Sequence, residues 1–245
     1  MTKIYLLLPI LSFLYTSAYT QRMSQETSQW VDAVQIDGVL NEWGDSLTYY
    51  FEDQDLYYSV ANNEDFLFVT IRVKDRQKQI QACLNGFDIM VNKTGKRKEG
   101  PALTFPLPNR AALRSIDNRY EEVKDIRIKT LNAVRAFHVK GFPAILDGPI
   151  SLENNYGIQA AAKIDSSDNL CFEGALRLDQ LGLTNGKPFA LNIKINGIVK
   201  LNYTSAGSMN QRRRYPYGYS DYPRTRVVSR EEPGAWHLFS LASKP

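Results

Sequence analysis

The stretch DLYYSVANNEDFLFVTIRVKD, residues 55–75, decides the fold class because it carries two runs of strand-forming residues around a polar turn. Residues 56–61 and 66–73 are rich in aromatic and β-branched side chains, and Asn-Asn-Glu-Asp between them favours a turn. Alternate residues of the second run are apolar and fall on one face: Leu67, Val69, Ile71 and Val73. The stretch predicts a β-hairpin with one face in the core.

Strand patterns continue through the rest of the chain. GIQAAAKIDSSDNLCFEGALRLDQL predicts a second hairpin, with strands at 158–164 and 170–178 around a turn at 165–169. Further strands are predicted at 87–91, 125–131, 136–140, 189–199 and 235–242. Helical signals are few: residues 77–86 are predicted to form a loop, and LDQLGL a single helical turn. Many short strands predict an all-β protein, a two-sheet antiparallel β-sandwich.

The N-terminus has the pattern of a secretory signal. Lys3 precedes an apolar run too short to anchor in a bilayer, and small and polar residues follow it. We therefore predict a signal peptide at residues 1–20, a flexible lead-in at 21–31 and a single β-sandwich domain at 32–243. The mature protein is expected to be secreted, periplasmic or at the cell surface, without a membrane span.

Positive charge is concentrated in one segment. The whole chain has a formal net charge of +4. A long loop predicted at 205–230 contains six arginines and one acidic residue, Asp221. The basic balance therefore reflects one loop, whereas nucleic-acid binding needs a charged face on a scaffold. We expect no nucleic-acid partner.

Six segments, taken in order and spacing, resemble the family-nine carbohydrate-binding modules and their DOMON-like relatives. They are IDGVLNEWGD, the 55–75 hairpin, GFDIMVN, LCFEGALRLDQLGL, FALNIKING and WHLFSL. The resemblance spans roughly residues 32–243 and implies an exported sandwich of two antiparallel sheets. It also implies that Trp43 packs into the sandwich and that Glu173 makes a structural pair.

The resemblance places part of a sugar site. Asp88 matches a family carboxylate, and Asn196 matches an amide. Lys194 stands near the position of a family glutamine. The two tryptophans that clamp sugar in the family have no counterpart, because one matches Ala82 or Cys83 and the other falls in RVVSREEPGA, residues 226–235, which has no aromatic residue.

The segment NQRRRYPYGYSDYPRTR offers other aromatic residues. It lies in the loop that carries one wall of the family's site. In one interpretation, Tyr215, Tyr217 and Tyr219 stack on a glycan while Arg213 pairs with carboxylates or sulfates. In the other, the loop is solvated and its tyrosines fold back on the sheet edge.

Cofactor signals are weak. A calcium ion could be held by acidic turns at Asp37 or at Asp53 and Asp55, but such turns are common without metal. Some DOMON-like relatives hold haem, yet Met90 is predicted to be a core residue by strand alternation. We expect no cofactor, and no role for His138 or His237. Cys83 and Cys171 either form a disulfide or remain buried thiols.

No nucleophile elbow, metal motif or nucleotide-binding loop appears, so we predict that the protein is not an enzyme. The sequence favours an exported, non-catalytic binding module for a carbohydrate or surface polymer. The alternative is a structural or assembly scaffold of a cell envelope that binds no small ligand. The predicted site residues are Asp88, Asn196, Arg213, Tyr215, Tyr217 and Tyr219.

Overall fold

The computed structural model describes residues 24–44, 46–107, 123–197, 200–202, 226–228 and 234–245, with the backbone alone at 123–125, 200–202 and 226–228. The predicted signal peptide lies outside the described residues. In the described ranges, no helix has the length and apolar character needed to span a bilayer.

Strands make up most of the regular structure and are numbered in chain order. They are β1 Gln25–Thr27, β2 Gln29–Trp30, β3 Tyr49–Phe51, β4 Leu56–Asn62, β5 Phe66–Val73, β6 Phe87–Asn92, β7 Ala102–Leu107, β8 Ala136–Lys140, β9 Gly148–Ser151, β10 Gln159–Ile164, β11 Leu170–Arg177, β12 Phe189–Ile195, β13 Lys200–Asn202, β14 Arg226–Val228 and β15 Ala235–Ser240. The helices are α1 Arg76–Asn85, α2 Val123–Asn132 and α3 Leu178–Leu181, with 3-10 turns at Leu40–Trp43 and Glu52–Gln54.

The strands form two large sheets. The seven-stranded sheet has the order β1-β15-β12-β6-β7-β8-β9, and the six-stranded sheet has the order β10-β11-β5-β4-β2, with β3 also paired to β4. A small sheet pairs β13 with β14. All pairings in the two large sheets are antiparallel except β1 with β15 and β2 with β4, which are parallel. The predicted class, an all-β sandwich, is confirmed with these two parallel additions.

The segment predicted as a flexible lead-in instead contains two short strands, β1 and β2. β1 and β2 lie within residues 21–31 and add one strand to each sheet. Between them the backbone N–H of Ser28 donates to Ser240 O at 3.0 Å. The Ser28 hydroxyl donates to Asn62 Oδ1 at 2.5 Å. Because Ser28 is buried and bonded to both sheets, the chain crosses between them in a fixed position.

The apolar core lies between the two sheets. The predicted inner-face residues of β5 are all buried there: Leu67, Val69, Ile71 and Val73. Phe172 on β11 reaches across to the seven-stranded sheet, with its ring centroid 5.4 Å from that of Phe87 and 5.8 Å from that of Phe105. Both predicted hairpins are present, as β4 with β5 and as β10 with β11. The alternation that faces the core therefore follows the sequence pattern.

Two predictions about local structure were wrong. The segment predicted as a loop at 77–86 is almost entirely α1, which begins after Asp75, whose side chain accepts the N–H of Lys78 at 2.8 Å. The segment predicted as a strand at 125–131 lies in α2. Helix α2 packs on α1, and its fully buried Arg127 lies in that contact. The single helical turn predicted after β11 is confirmed as α3.

Residues 36–43, the IDG…NEW corner, pack on the outer face of the six-stranded sheet. Phe172 on β11 points into the core, and successive residues of a strand point to opposite faces, so Glu173 points outward. Its Oε2 accepts the N–H groups of Asp37 and Gly38 at 3.1 and 2.8 Å, and its Oε1 accepts the indole N–H of Trp43 at 2.8 Å. Removal from water raises the pKa of the Glu173 carboxyl, and these three hydrogen bonds oppose the rise. The structural pairing predicted for Glu173 is present.

Gly38 is required by this geometry. Its φ is +80°, and a Cβ added there would lie 3.0 Å from the backbone of Ala162 and Lys163. Trp43 is structural, as predicted, but it does not enter the space between the sheets. It packs against two clusters on the outer face of the sheet. One contains Leu40, Leu47 and Cys171, and the other contains Ala61, Phe68 and Ala175. The corner thus covers the outside of one sheet.

His237 lies between the two sheets, and its surroundings predict how the stability of the protein depends on pH. Its Nδ1 lies 2.7 Å from the hydroxyl of Tyr58, and its ring packs against Tyr49. Burial lowers the pKa of His237 below its ordinary 6.5; Arg97 adds to the lowering and Glu26 opposes it. The unfolded chain therefore binds a proton at this histidine at a higher pH than the folded protein does. The stability that neutral His237 contributes is present above about pH 6.5 and is lost as the pH falls below it.

We expect the free energy of unfolding of the native protein to fall more steeply between about pH 8 and about pH 5 than that of His237→Gln, which cannot take up the proton. Urea denaturation across this range measures the difference. Parallel curves for the two proteins would contradict the assignment.

Candidate functional site

Asp88 and Asn196, which the family resemblance assigns to a sugar site, meet on the outer face of the seven-stranded sheet. The Asn196 amide donates from Nδ2 to Asp88 Oδ1 at 2.9 Å. The Thr104 hydroxyl donates to the same oxygen at 2.5 Å. The ammonium of Lys194 lies 3.6 Å from Asp88 Oδ2. These four residues are called the Asp88 cluster below.

Strand alternation and register create the Asp88 cluster. Phe87 and Ile89 are buried in the core, so Asp88 between them faces outward. Across the sheet, Asp88 lies opposite Thr104 on β7 and Lys194 on β12. Cross-strand neighbours on one face lie close enough for their side chains to contact each other.

Helix α1 fixes the remaining member of the cluster. The backbone N–H of Asn196 donates to Gly86 O at 3.0 Å, and its side chain also donates to Asn85 O at 3.1 Å. Its backbone oxygen accepts from Gln81 Nε2 at 3.0 Å. The end of α1 therefore holds the Asn196 amide in one orientation, with both N–H groups directed at fixed acceptors.

The cluster keeps hydrogen-bonding capacity. The side chains of Asp88 and Lys194 are 18% and 24% exposed, and the 3.6 Å between them exceeds a normal hydrogen-bond length. The ammonium carries three donors. Among the described residues, none donates to Asn196 Oδ1, which leaves an acceptor beside a carboxylate and an ammonium. Such groups recognise hydroxyls of a polar ligand.

The other predicted site residues are not part of the Asp88 cluster as described. Arg213, Tyr215, Tyr217 and Tyr219 lie outside the described residues. The positions that match the family's first tryptophan, Ala82 and Cys83, are buried in the core on α1. That position therefore offers no aromatic wall on the surface.

The other candidate ligands have structural surroundings. Met90 is not a core residue as predicted: it shares the outward face of β6 with Asp88 and is half-buried. The Asp37 carboxylate accepts the N–H of Val39 at 2.8 Å, and Asp55 accepts the Tyr50 hydroxyl at 3.0 Å. In the part of the chain that is described, no three His, Cys, Asp or Glu side chains converge as a metal site requires. The absence of a cofactor, with calcium as the alternative, stays a prediction.

The two cysteines are free thiols. Cys83 lies in the core between the sheets, whereas Cys171 lies on the outer face of the six-stranded sheet under Leu40 and Leu47. Burial raises the pKa of each thiol to about 12. Of the two alternatives left open by the sequence, the structure shows buried thiols.

Sequence reasoning misses Thr104 and treats Lys194 only as a departure from the family's glutamine. The signal for Thr104 is the pairing register of β6 and β7, which the sequence of either strand does not contain. The alternation in FALNIKI indicates that Lys194 faces outward. Its position opposite Asp88 follows from the pairing of β6 with β12.

The fold defines a β-sandwich with an outward-facing polar cluster. Solved structures similar to it include a family-nine carbohydrate-binding module from Caldicellulosiruptor kristjanssonii in complex with glucose, at 10% identity and a TM-score of 0.39, covering 71% of this chain and 78% of that one. The same module in complex with cellotriose is 10% identical with a TM-score of 0.36, covering 70% and 76%. No protein-family model and no curated protein matches the chain.

Proposed function

We propose that the protein is an exported, non-catalytic carbohydrate-binding module and that the Asp88 cluster contacts the sugar. The observation that carries the proposal is the held Asn196 amide beside Asp88 and Lys194, with an acceptor and an ammonium still able to bond. Sugar hydroxyls both donate and accept, so a carboxylate, an amide and an ammonium at fixed positions suit them.

Stacking surfaces are part of the same proposal. Tyr215, Tyr217 and Tyr219 supply aromatic faces for the sugar ring in place of the absent tryptophans, and Arg213 supplies a planar donor.

We expect Asp88→Asn to weaken binding of a recognised oligosaccharide by about 10- to 100-fold, because it removes a charged acceptor and perturbs the Asn196 amide. Isothermal titration with glucose, cellotriose and acidic oligosaccharides measures this effect. Alanine at both Tyr217 and Tyr219 is expected to reduce retention on acidic and neutral polysaccharides in affinity gels.

The matched control is Lys140→Ala, which removes a charge from the same face of the seven-stranded sheet on β8. It should bind like the native protein. Native-like binding by Asp88→Asn would refute the Asp88 cluster as the site. A protein that binds no glycan on a broad array would instead favour the scaffold role.

A further inference from the structure

A cavity on the opposite side of the molecule has no part in the function proposed above. It lies on the outer face of the six-stranded sheet and has a volume of about 560 Å³. Small-ligand sites have volumes of roughly 300–1,000 Å³. One wall is the IDG…NEW corner from Gly38 to Asn41, the other is the turn between β10 and β11, and Arg72 and Cys171 line the base.

Both walls are built on fixed hydrogen bonds. The corner is tied to the fully buried Glu173 by three donors. In the opposite turn, Asp165 accepts the N–H of Ser167 at 2.9 Å and that of Asn169 at 2.8 Å, and it also accepts the Asn169 side-chain amide at 2.9 Å. These bonds lower the pKa of Asp165 despite its partial burial. A cavity between two held walls binds with little ordering cost.

The lining chemistry suits a sugar unit. Amides and hydroxyls come from Asn41, Ser166 and Ser167, and Lys163 adds an exposed ammonium. Leu40 and Ile164 add apolar surface that can cover the C–H face of a pyranose ring. A cavity that mixes amides, hydroxyls and charges of both signs with some apolar surface fits a saccharide better than a lipid.

A cross-strand row of side chains connects the cavity with two tyrosines on the same face of the sheet. The register places Tyr50, Tyr57, Arg72, Cys171 and Lys163 in one cross-strand row on five adjacent strands. The side chain of Tyr50 is 50% exposed. Its hydroxyl donates to Asp55, and its ring centroid lies 4.6 Å from that of Tyr57. A ring held in this way offers a stacking surface of low conformational entropy.

We propose that this surface is a second carbohydrate-binding site, which holds the interior of an extended polysaccharide with one unit in the cavity and another on Tyr50. The row from Tyr50 to Lys163 crosses four strand spacings, about 19 Å. That length accommodates several linked sugar units laid across the strands and over Leu40, which with Leu47 covers Cys171 in the row. The inference takes its ligand class from the proposed function but uses different residues on the other sheet.

Affinity gels containing hydroxyethylcellulose, xylan or polygalacturonate test the second site. On a retaining polysaccharide, Tyr50→Ala is expected to raise the dissociation constant roughly three- to tenfold, and the pair Asn41→Ala with Lys163→Ala by a similar factor. Tyr156→Ala, which removes a 41% exposed tyrosine outside the row, is the matched control and should leave retention unchanged. Thermal denaturation checks that each variant is folded.

Combining the changes with Asp88→Asn separates the two sites. Additive losses from Asp88→Asn and Tyr50→Ala support both. A loss with Tyr50→Ala alone supports the second site and refutes the Asp88 cluster. Native retention by Tyr50→Ala and by the Asn41 and Lys163 pair, on a polysaccharide that Asp88→Asn fails to retain, overturns the second site only. No retention of any polysaccharide by the native protein overturns both.

Discussion

Replacing Glu173 by alanine is expected to lower the free energy of unfolding by about 3–5 kcal/mol, because it removes a buried carboxylate that accepts three hydrogen bonds. The N–H groups of Asp37 and Gly38 and the indole of Trp43 would lose their acceptor, and the corner would lose its attachment to the sheet. Urea denaturation followed by circular dichroism measures the change. Trp43→Phe removes only one donor and should cost about 1–3 kcal/mol.

Two further variants separate charge from hydrogen bonding. Glu173→Gln keeps the size of the side chain but turns an amide N–H₂ towards one set of donors, so a loss of about 2 kcal/mol or more is expected. Glu64→Ala removes an exposed carboxylate, 3.6 Å from Lys244, and should change stability by less than about 1 kcal/mol. If Glu173→Ala costs no more than Glu64→Ala, the corner is not held by the carboxylate.

The hairpins could be read from the sequence because their information is local. In β5 the apolar period of two marks Leu67, Val69 and Ile71 as inner residues, and the core contains all three. The corner at Asp37 and Gly38 is also readable as a turn. Its position outside the six-stranded sheet is not, because it depends on which face of β11 presents Glu173.

The helices were missed for two physical reasons. Helix α1 has few apolar residues and therefore a weak helical period, although Asp75 before it and Gly86 after it are ordinary helix boundaries. In α2 the order Ile126, Arg127, Ile128 imitates the alternation of a strand. Tertiary packing reverses the expected exposure, because Arg127 is fully buried whereas Ile128 is 37% exposed.

The candidate sites also combine residues that the sequence indicates with residues that only the tertiary structure brings together. The resemblance brings Asp88 and Asn196 to one place, and the structure shows the hydrogen bond between their side chains. Thr104 joins them through strand register. The cavity on the other sheet depends on the corner at Gly38 meeting the turn at Asp165, segments far apart in sequence. No local pattern contains that meeting.

Gln79→Leu is expected to destabilise the protein by about 3–5 kcal/mol, since it breaks the network around a buried guanidinium. Arg127 is fully buried and donates to Gln79 Oε1 and, at 2.8 Å, to Asp168 Oδ1. The Gln79 amide donates to the backbone oxygens of Val73, Lys74 and Asp168 at 3.0, 3.1 and 2.8 Å. One side chain thus joins α1, α2, the end of β5 and the turn before β11.

A double-mutant cycle with Gln79→Leu and Arg127→Leu measures the coupling between the two side chains. We expect a coupling free energy of about 1–3 kcal/mol, because removing Arg127 relieves the buried charge that Gln79→Leu leaves with fewer partners. Gln77→Leu, on the exposed side of the same helix, is the matched control and should stay within about 0.5 kcal/mol of the native protein. Strictly additive losses would show that Gln79 stabilises the fold through its bonds to backbone oxygens and not through Arg127.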